Sequence, residues 1–200
     1  MEFNNRKGEF LVKAAREIIE SHVKGEEIDV EFPTWCNEKR GLFVTIETYP
    51  SHELRGCIGI PLPVKSISEA LVECAIEACH DPRFPSLSES ELDEIVVEIS
   101  LLTKPEKIEY SDINDLLSKI KAGTDGIILR CGNRSALFLP QVWEKLPEKE
   151  SFLSHLCLKA GLPSDAWRDF DCEFFKFRVV AWREKEPRGD VECVMLLKER

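Results

Sequence analysis

Apolar positions recur at helical intervals over residues 5–24. Leu11, Ala15, Ile18 and His22 share one face, and Gly25 follows as a natural stop. The pattern then changes period. Residues 42–48 alternate as a strand does, 49–53 read as a loop, and 54–60 read as a second strand, which together predict an antiparallel hairpin. Ser66 with Glu69 forms a capping box ahead of a stripe made by Ile67, Ala70, Leu71, Cys74 and Ala78, so a helix starts here. It must stop near Asp81-Pro82, because the residue before proline avoids helical geometry. Residues 95–103 predict a buried strand, and 111–121 a short helix closed by Gly123. Residues 126–131 and 135–139 flank Gly132-Asn133-Arg134 as a second hairpin. Residues 148–160 form another helix ended by Gly161, and the last strands are 172–182 and 191–197.

Hairpins interleaved with helices predict an α+β fold: a largely antiparallel sheet with flanking helices, arranged in two lobes. The segments 104–110 and 144–150 are loop-like, yet neither is a linker, so residues 1–200 are read as a single domain of two packed lobes. A chain this long buries roughly 70% of its extended surface on folding.

Composition narrows the function classes. With 43% hydrophobic and 32% charged residues, the chain reads as globular and soluble. A net charge of -10 argues against nucleic acid as a partner, since phosphate contacts need a basic footprint. No stretch approaches the roughly 20 apolar residues that cross a bilayer. The first residues carry no apolar secretion signal, so the expected location is cytoplasmic and no membrane partner is expected. Eight cysteines without a Cys-x-x-Cys pair, in a reducing compartment, predict free thiols, no structural disulfide and no metal site. Gly123-Thr124-Asp125-Gly126 precedes a strand rather than a helix, so it is no phosphate loop, and the sequence calls for no cofactor.

The unusual segment is Leu54-Arg55-Gly56-Cys57-Ile58-Gly59, because glycine within a strand often marks a close backbone approach. Strand alternation puts Arg55, Cys57 and Gly59 on one face, with Arg55 and Cys57 about 7 Å apart. A guanidinium there would favour the thiolate, while Gly59 would leave the face bare for a ligand or another segment. A five-residue loop would instead pair Thr48 with Leu54, Glu47 with Arg55 and Thr45 with Cys57, making Arg55 an ordinary cross-strand partner and Cys57 a packed thiol. None of the four histidines is placed by its pattern as a base for Cys57: His22 lies in an apolar stripe, His80 ends a polar helix face, His155 is solvated, and His52 sits in the hairpin loop. Cys74 and Cys157 are expected in the core. Asp81-Pro82-Arg83-Phe84 reads as a rigid turn or as a loop lining a cleft.

Leu54-Arg55-Gly56-Cys57-Ile58-Gly59 resembles the signature of the AMMECR domain family. Gly41–Thr45, Asp81–Phe84, Glu98-Ile99-Ser100, Gly126-Ile127, Leu139-Pro140-Gln141 and Lys159–Leu162 resemble that family's pattern as well, so the resemblance runs from about residue 8 to residue 183. It implies an α+β fold of two lobes with the signature near their junction, and it names no reaction. It also implies a pathway shared with Memo-like proteins and radical S-adenosylmethionine enzymes. Two readings follow. In one, the chain binds a small ligand or a protein partner in a cleft shaped by Leu54, Arg55, Gly56, Cys57, Ile58 and Gly59, with Asp81, Arg83 and Glu98 beside it. In the other, Cys57 is a catalytic nucleophile, Arg55 binds an anionic group, and Glu98 or Asp81 assists. A polar strand without a partnered base favours the first.

Overall fold

The structure is a computed structural model that describes residues 4–169 and 171–195. Within it the chain divides into two compact units. One comprises residues 4–102 and 180–195, and the other lies within 103–179.

The first unit starts with helix α1, Asn5–Lys24. Asn4 caps it by accepting the Lys7 N–H, and Gly25 closes it in the left-handed conformation. Strands β1, Leu42–Thr48, and β2, Leu54–Ile60, follow as the expected hairpin. Helix α2, Ile67–Ala78, opens on the Ser66/Glu69 capping box and ends earlier than the proline alone requires, with Cys79 as its cap. Strand β3 is Ile95–Leu102. The five-stranded sheet has the order β2-β1-β3-β8-β9, completed by β8, Val179–Glu184, and β9, Val191–Met195. Residues 196–197 of the expected last strand lie outside the described residues.

One face of this sheet carries Leu42, Val44, Ile46, Val97 and Ile99, all fully buried, and α1 and α2 pack on it through Leu11, Ala15, Ile18, Leu71 and Cys74. A buried ion pair crosses this core. Arg16 donates to Glu184 through Nε at 3.0 Å and through Nη2, and also to the carbonyls of Leu92 and Ile95. Glu184 in turn accepts the Val97 N–H at 3.0 Å. The opposite sheet face carries Phe43, Thr45, Glu47, Cys57, Gly59, Glu98 and Ser100.

The second unit holds a four-stranded sheet in the order β4-β7-β5-β6: β4, Glu106–Lys107; β5, Gly126–Cys131; β6, Arg134–Phe138; β7, Cys172–Phe177. Helices α3, Ile113–Lys119, and α4, Lys149–Lys159, accompany it. Its core gathers Leu116, Ile127, Leu129, Trp143, Phe152, Leu156, Trp167 and Phe174, with Trp143 stacked on Phe152.

Two expectations are corrected. The apolar run 172–182 is not one strand. Thr103 takes both backbone groups of Arg178, donating its N–H to the Arg178 carbonyl and accepting the Arg178 N–H on its hydroxyl, each at 2.9 Å, so the run splits into β7 and β8 in different sheets. The thiols are not all free either. Cys131 and Cys172 stand directly opposite each other on β5 and β7, with Cα atoms 4.4 Å apart, and are joined as a disulfide. Spacing of 41 residues could not announce a contact that β7 makes only through tertiary pairing.

Candidate functional site

The β1–β2 register explains the signature segment. Thr45 faces Cys57 as expected, but a bulge between Ile46 and Glu47 sets Glu47 opposite Leu54 and leaves Arg55 without a facing residue. The expected Thr48–Leu54 and Glu47–Arg55 pairs are therefore absent. A bulge re-aims the side chain it carries, and Arg55 turns to the loop after α2. There its Nε donates to Glu91 Oε1 at 2.7 Å and its Nη2 to Oε2 at 3.2 Å, with Phe84 beside the guanidinium. This fork, helped by the Ser88 N–H, holds the Glu91 carboxyl down at about 2. Arg55 is thus committed to a carboxylate and does not lower the Cys57 pKa; nor is it open to an anionic ligand.

Strand β2 lies at the sheet edge, so the N–H and carbonyl of Cys57 point outward. Asp81 and Arg83 occupy them. Asp81 Oδ2 accepts the Cys57 N–H at 2.9 Å, and Arg83 Nη2 donates to the Cys57 carbonyl at 3.3 Å. Arg83 also donates its backbone N–H and its Nε to Asp81 Oδ1, at 3.0 and 2.9 Å. Asp81 is 2% exposed, and the bonds of its carboxyl to Arg83, with the Cys57 and Arg83 N–H groups, hold that carboxyl well below the usual carboxylate range despite burial. Asp81-Pro82-Arg83 is therefore a side-chain clamp on a strand edge, and its carboxylate is not free to assist a reaction.

The two glycines are contact positions. A Cβ on Gly56 would stand 2.3 Å from the Ala78 carbonyl oxygen at the end of α2. A Cβ on Gly59 would stand 2.1 Å from the ring of Phe43. Gly59 thus admits the Phe43 ring and does not leave the face bare. Ile58 is half-buried opposite Val44, and Leu54 is exposed at the hairpin end.

What stays accessible is the side chain of Cys57. It is half-buried and shares a cross-strand row with Thr45 of β1 and Glu98 of β3. Thr45 Oγ1 donates to Cys57 Sγ at 3.3 Å. Burial pushes the Cys57 thiol up, and the charges of Asp81 and Glu98 add to that; Thr45 and Arg83 counter it only in part. Glu98 is also pushed up, by burial first and by Glu47 next, against Arg183 and His52. His52 takes the left-handed conformation at φ 54° and turns its Nδ1 to Glu47 Oε2 at 2.9 Å, away from Cys57. Arg183 donates to the same Glu47 oxygen at 3.2 Å. His22 and His80 meet nitrogen to nitrogen at 2.8 Å, and His155 bonds to the Ser151 carbonyl. Cys74 and Cys157 are fully buried.

Of the residues singled out by sequence, Cys57 and Glu98 share the polar face; Arg55, Asp81 and Arg83 brace the edge strand from outside it. Sequence reading passed over Ser100 and Arg183 as members of this face, set Glu47 opposite Arg55, and placed His52 only in the hairpin loop. The signal for Ser100 was present in β3, where Glu98 and Ser100 are the two polar residues of an apolar strand and stand two apart. Among the described residues no group of three or more His, Cys, Asp or Glu could hold a metal ion, and no helix is long and apolar enough to cross a membrane.

The chain is similar to other known chains. The chain is 47% identical to Protein MJ0810 of Methanocaldococcus jannaschii, over 92% of this chain and 93% of the relative. It is also 47% identical to Protein MK0488 of Methanopyrus kandleri, over 96% of each. The crystal structure of uncharacterized protein PH0010 from Pyrococcus horikoshii superposes with a TM-score of 0.80 at 42% identity, covering 98% of this chain and 100% of that one. The AMMECR1 family profile matches residues 12–182, and with so much of its length matched the chain belongs to the AMMECR1 family.

Proposed function

We propose that this protein is a binding module that receives a small polar ligand, or a polar segment of a protein partner, on the sheet face carrying Cys57, Thr45 and Glu98. The Leu54–Gly59 segment shapes that face. The observation that carries this reading is the state of Cys57. Its backbone is clamped by Asp81 and Arg83, its sulfur accepts a hydrogen bond from Thr45, its thiol is held in the neutral form, and no histidine among the described residues bonds to it. A nucleophilic cysteine needs thiolate character or a bonded base. A neutral thiol beside a hydroxyl and an open carboxyl suits recognition instead.

The family resemblance suggests Memo-like and radical S-adenosylmethionine proteins as pathway partners of a cytoplasmic protein. The acidity of the chain speaks against nucleic acid. The alternative, a cysteine-dependent enzyme, needs Arg55 at the thiol.

Alkylation separates the two. Folded protein is treated with iodoacetamide near neutral pH, and the rates at Cys57, Cys74 and Cys157 are read by peptide mass spectrometry. A neutral thiol predicts that Cys57 reacts more slowly than a free cysteine in solution. Rapid alkylation selective for Cys57, abolished by Arg55→Ala without unfolding, would overturn the binding reading in favour of the enzyme.

A further inference from the structure

The polar face can be read for what it lacks. Each cationic side chain around it is already matched. Arg55 is forked onto Glu91, and Arg83 is wrapped on Asp81. Arg183 donates to Glu47 at 3.2 Å and to Glu192 at 3.5 Å, while its Nε is buried and out of a ligand's reach. His52 is bonded to Glu47.

The groups left open are mostly acceptors. Glu98 makes no hydrogen bond or ion pair among the described residues, although burial and the neighbouring Glu47 both act on its carboxyl. Ser100 stands two residues further along the same face, opposite Phe43. It is only 8% exposed, and its hydroxyl has no hydrogen-bond partner among the described residues. Thr45 has spent its proton on Cys57 and keeps its lone pairs. Ser100 is mostly buried, yet its hydroxyl oxygen is not among the buried polar atoms that lack a partner, so it remains open to a ligand. An anion brought here would meet Glu98 and Glu47 with no free cation to receive it.

We propose that this face binds a cationic nitrogen group, an ammonium or guanidinium carried by a small molecule or a partner side chain, with Glu98 as its counter-ion and Ser100 and Thr45 as its hydrogen-bond acceptors. The inference rests on the binding reading above and deepens it by naming the ligand class. It also reverses the sign of the ligand that the sequence suggested, because Arg55 is taken. The charged and titratable groups facing Glu98 are Glu47, Arg183, His52 and Cys57. Of these, Glu47 is held by Arg183 and His52, which leaves Glu98 to the ligand.

A matched set of four probes tests the assignment: butylammonium, butylguanidinium, butyrate and butanol, titrated into isotopically labelled full-length protein and followed by amide chemical shifts. One or both cations should shift the amides of Thr45, Cys57, Glu98 and Ser100 saturably, while butyrate should not. The near-isosteric Glu98→Gln should weaken that binding tenfold or more, and Ser100→Ala severalfold, with the remaining spectrum unchanged. Binding should also weaken as the pH is lowered and Glu98 protonates. Equal or tighter binding of butyrate at these amides would overturn the proposal, as would cation binding indifferent to Glu98→Gln or no saturable cation binding. If butyrate or butanol takes the face while the cations do not, the ligand class falls and the binding reading survives. If none of the four binds, the class falls, and the binding reading is judged by the alkylation experiment.

Discussion

Arg55 shows how far one side chain's role depends on where the backbone aims it. In a regular hairpin it would pair with Glu47 across the strand; the bulge sends it to Glu91. The pairing has an acid signature. The Glu91 carboxyl drops from 4.5 to about 2, and Asp81 is depressed as well. A carboxylate with a depressed native pKa binds fewer protons folded than unfolded, so its stabilisation is complete above the ordinary carboxylate range and is lost as the pH falls through the native value. These two carboxylates should therefore make urea unfolding midpoints decline as the pH falls from 4.5 to about 2. Arg55→Met should be less stable at neutral pH and show a shallower decline over that window, because Glu91 returns toward its ordinary value. Parallel curves for the two proteins would show that Arg55 is not the cause.

Among the elements, β2 is an edge strand trimmed on both sides. Its core side meets the end of α2 at Gly56, and its polar side meets the ring of Phe43 at Gly59. The two glycines should respond differently to a methyl group. At Gly56 the obstacle is backbone, the Ala78 carbonyl, so Gly56→Ala has to displace α2 and should cost roughly 1–3 kcal/mol or more, as overpacking does. At Gly59 the obstacle is a half-buried ring that can swing aside. Gly59→Ala should cost less, and a Phe43→Ala background should suppress most of that cost. Chemical denaturation of the four proteins in a double-mutant cycle measures this directly, and a coupling near zero between positions 43 and 59 would contradict it.

At the scale of the whole molecule, residues far apart in sequence close each unit. Arg16 of α1 and Glu184 of β8 are 168 positions apart and meet in the core of the first unit. Removing one partner of a buried pair leaves the other uncompensated, so Arg16→Met should destabilise by about 3–5 kcal/mol, while a double replacement by apolar residues should recover much of it. Thermal or urea unfolding of both variants decides this. In the second unit, Cys131 and Cys172 join β5 to β7. Protein purified without reductant and then denatured should titrate six of its eight thiols. A peptide pair linked through Cys131 and Cys172 should appear in a non-reducing digest, and eight reactive thiols would show the bond absent.

Local chemistry was legible in the sequence because local forces set it. The caps at Gly25 and Ser66, the β1–β2 hairpin and the β5–β6 hairpin depend on neighbours within a few residues, and the local pattern exposes them. The burial of Cys74 and Cys157 follows from the same periodicity. The tertiary structure decided what periodicity cannot carry. Arg178 breaks an apolar run because a distant Thr103 takes its backbone groups. Asp81 and Arg83 look like a helix stop with a surface charge pair until the edge of β2 presents Cys57 to them. Glu98 and Ser100 are two polar letters in an apolar strand until β1 and β2 place Thr45 and Cys57 beside them and leave their acceptors open. The sequence determines which groups can bond, but which of them remain unbonded, and so free to meet a ligand, is fixed only when strands from distant parts of the chain lie side by side.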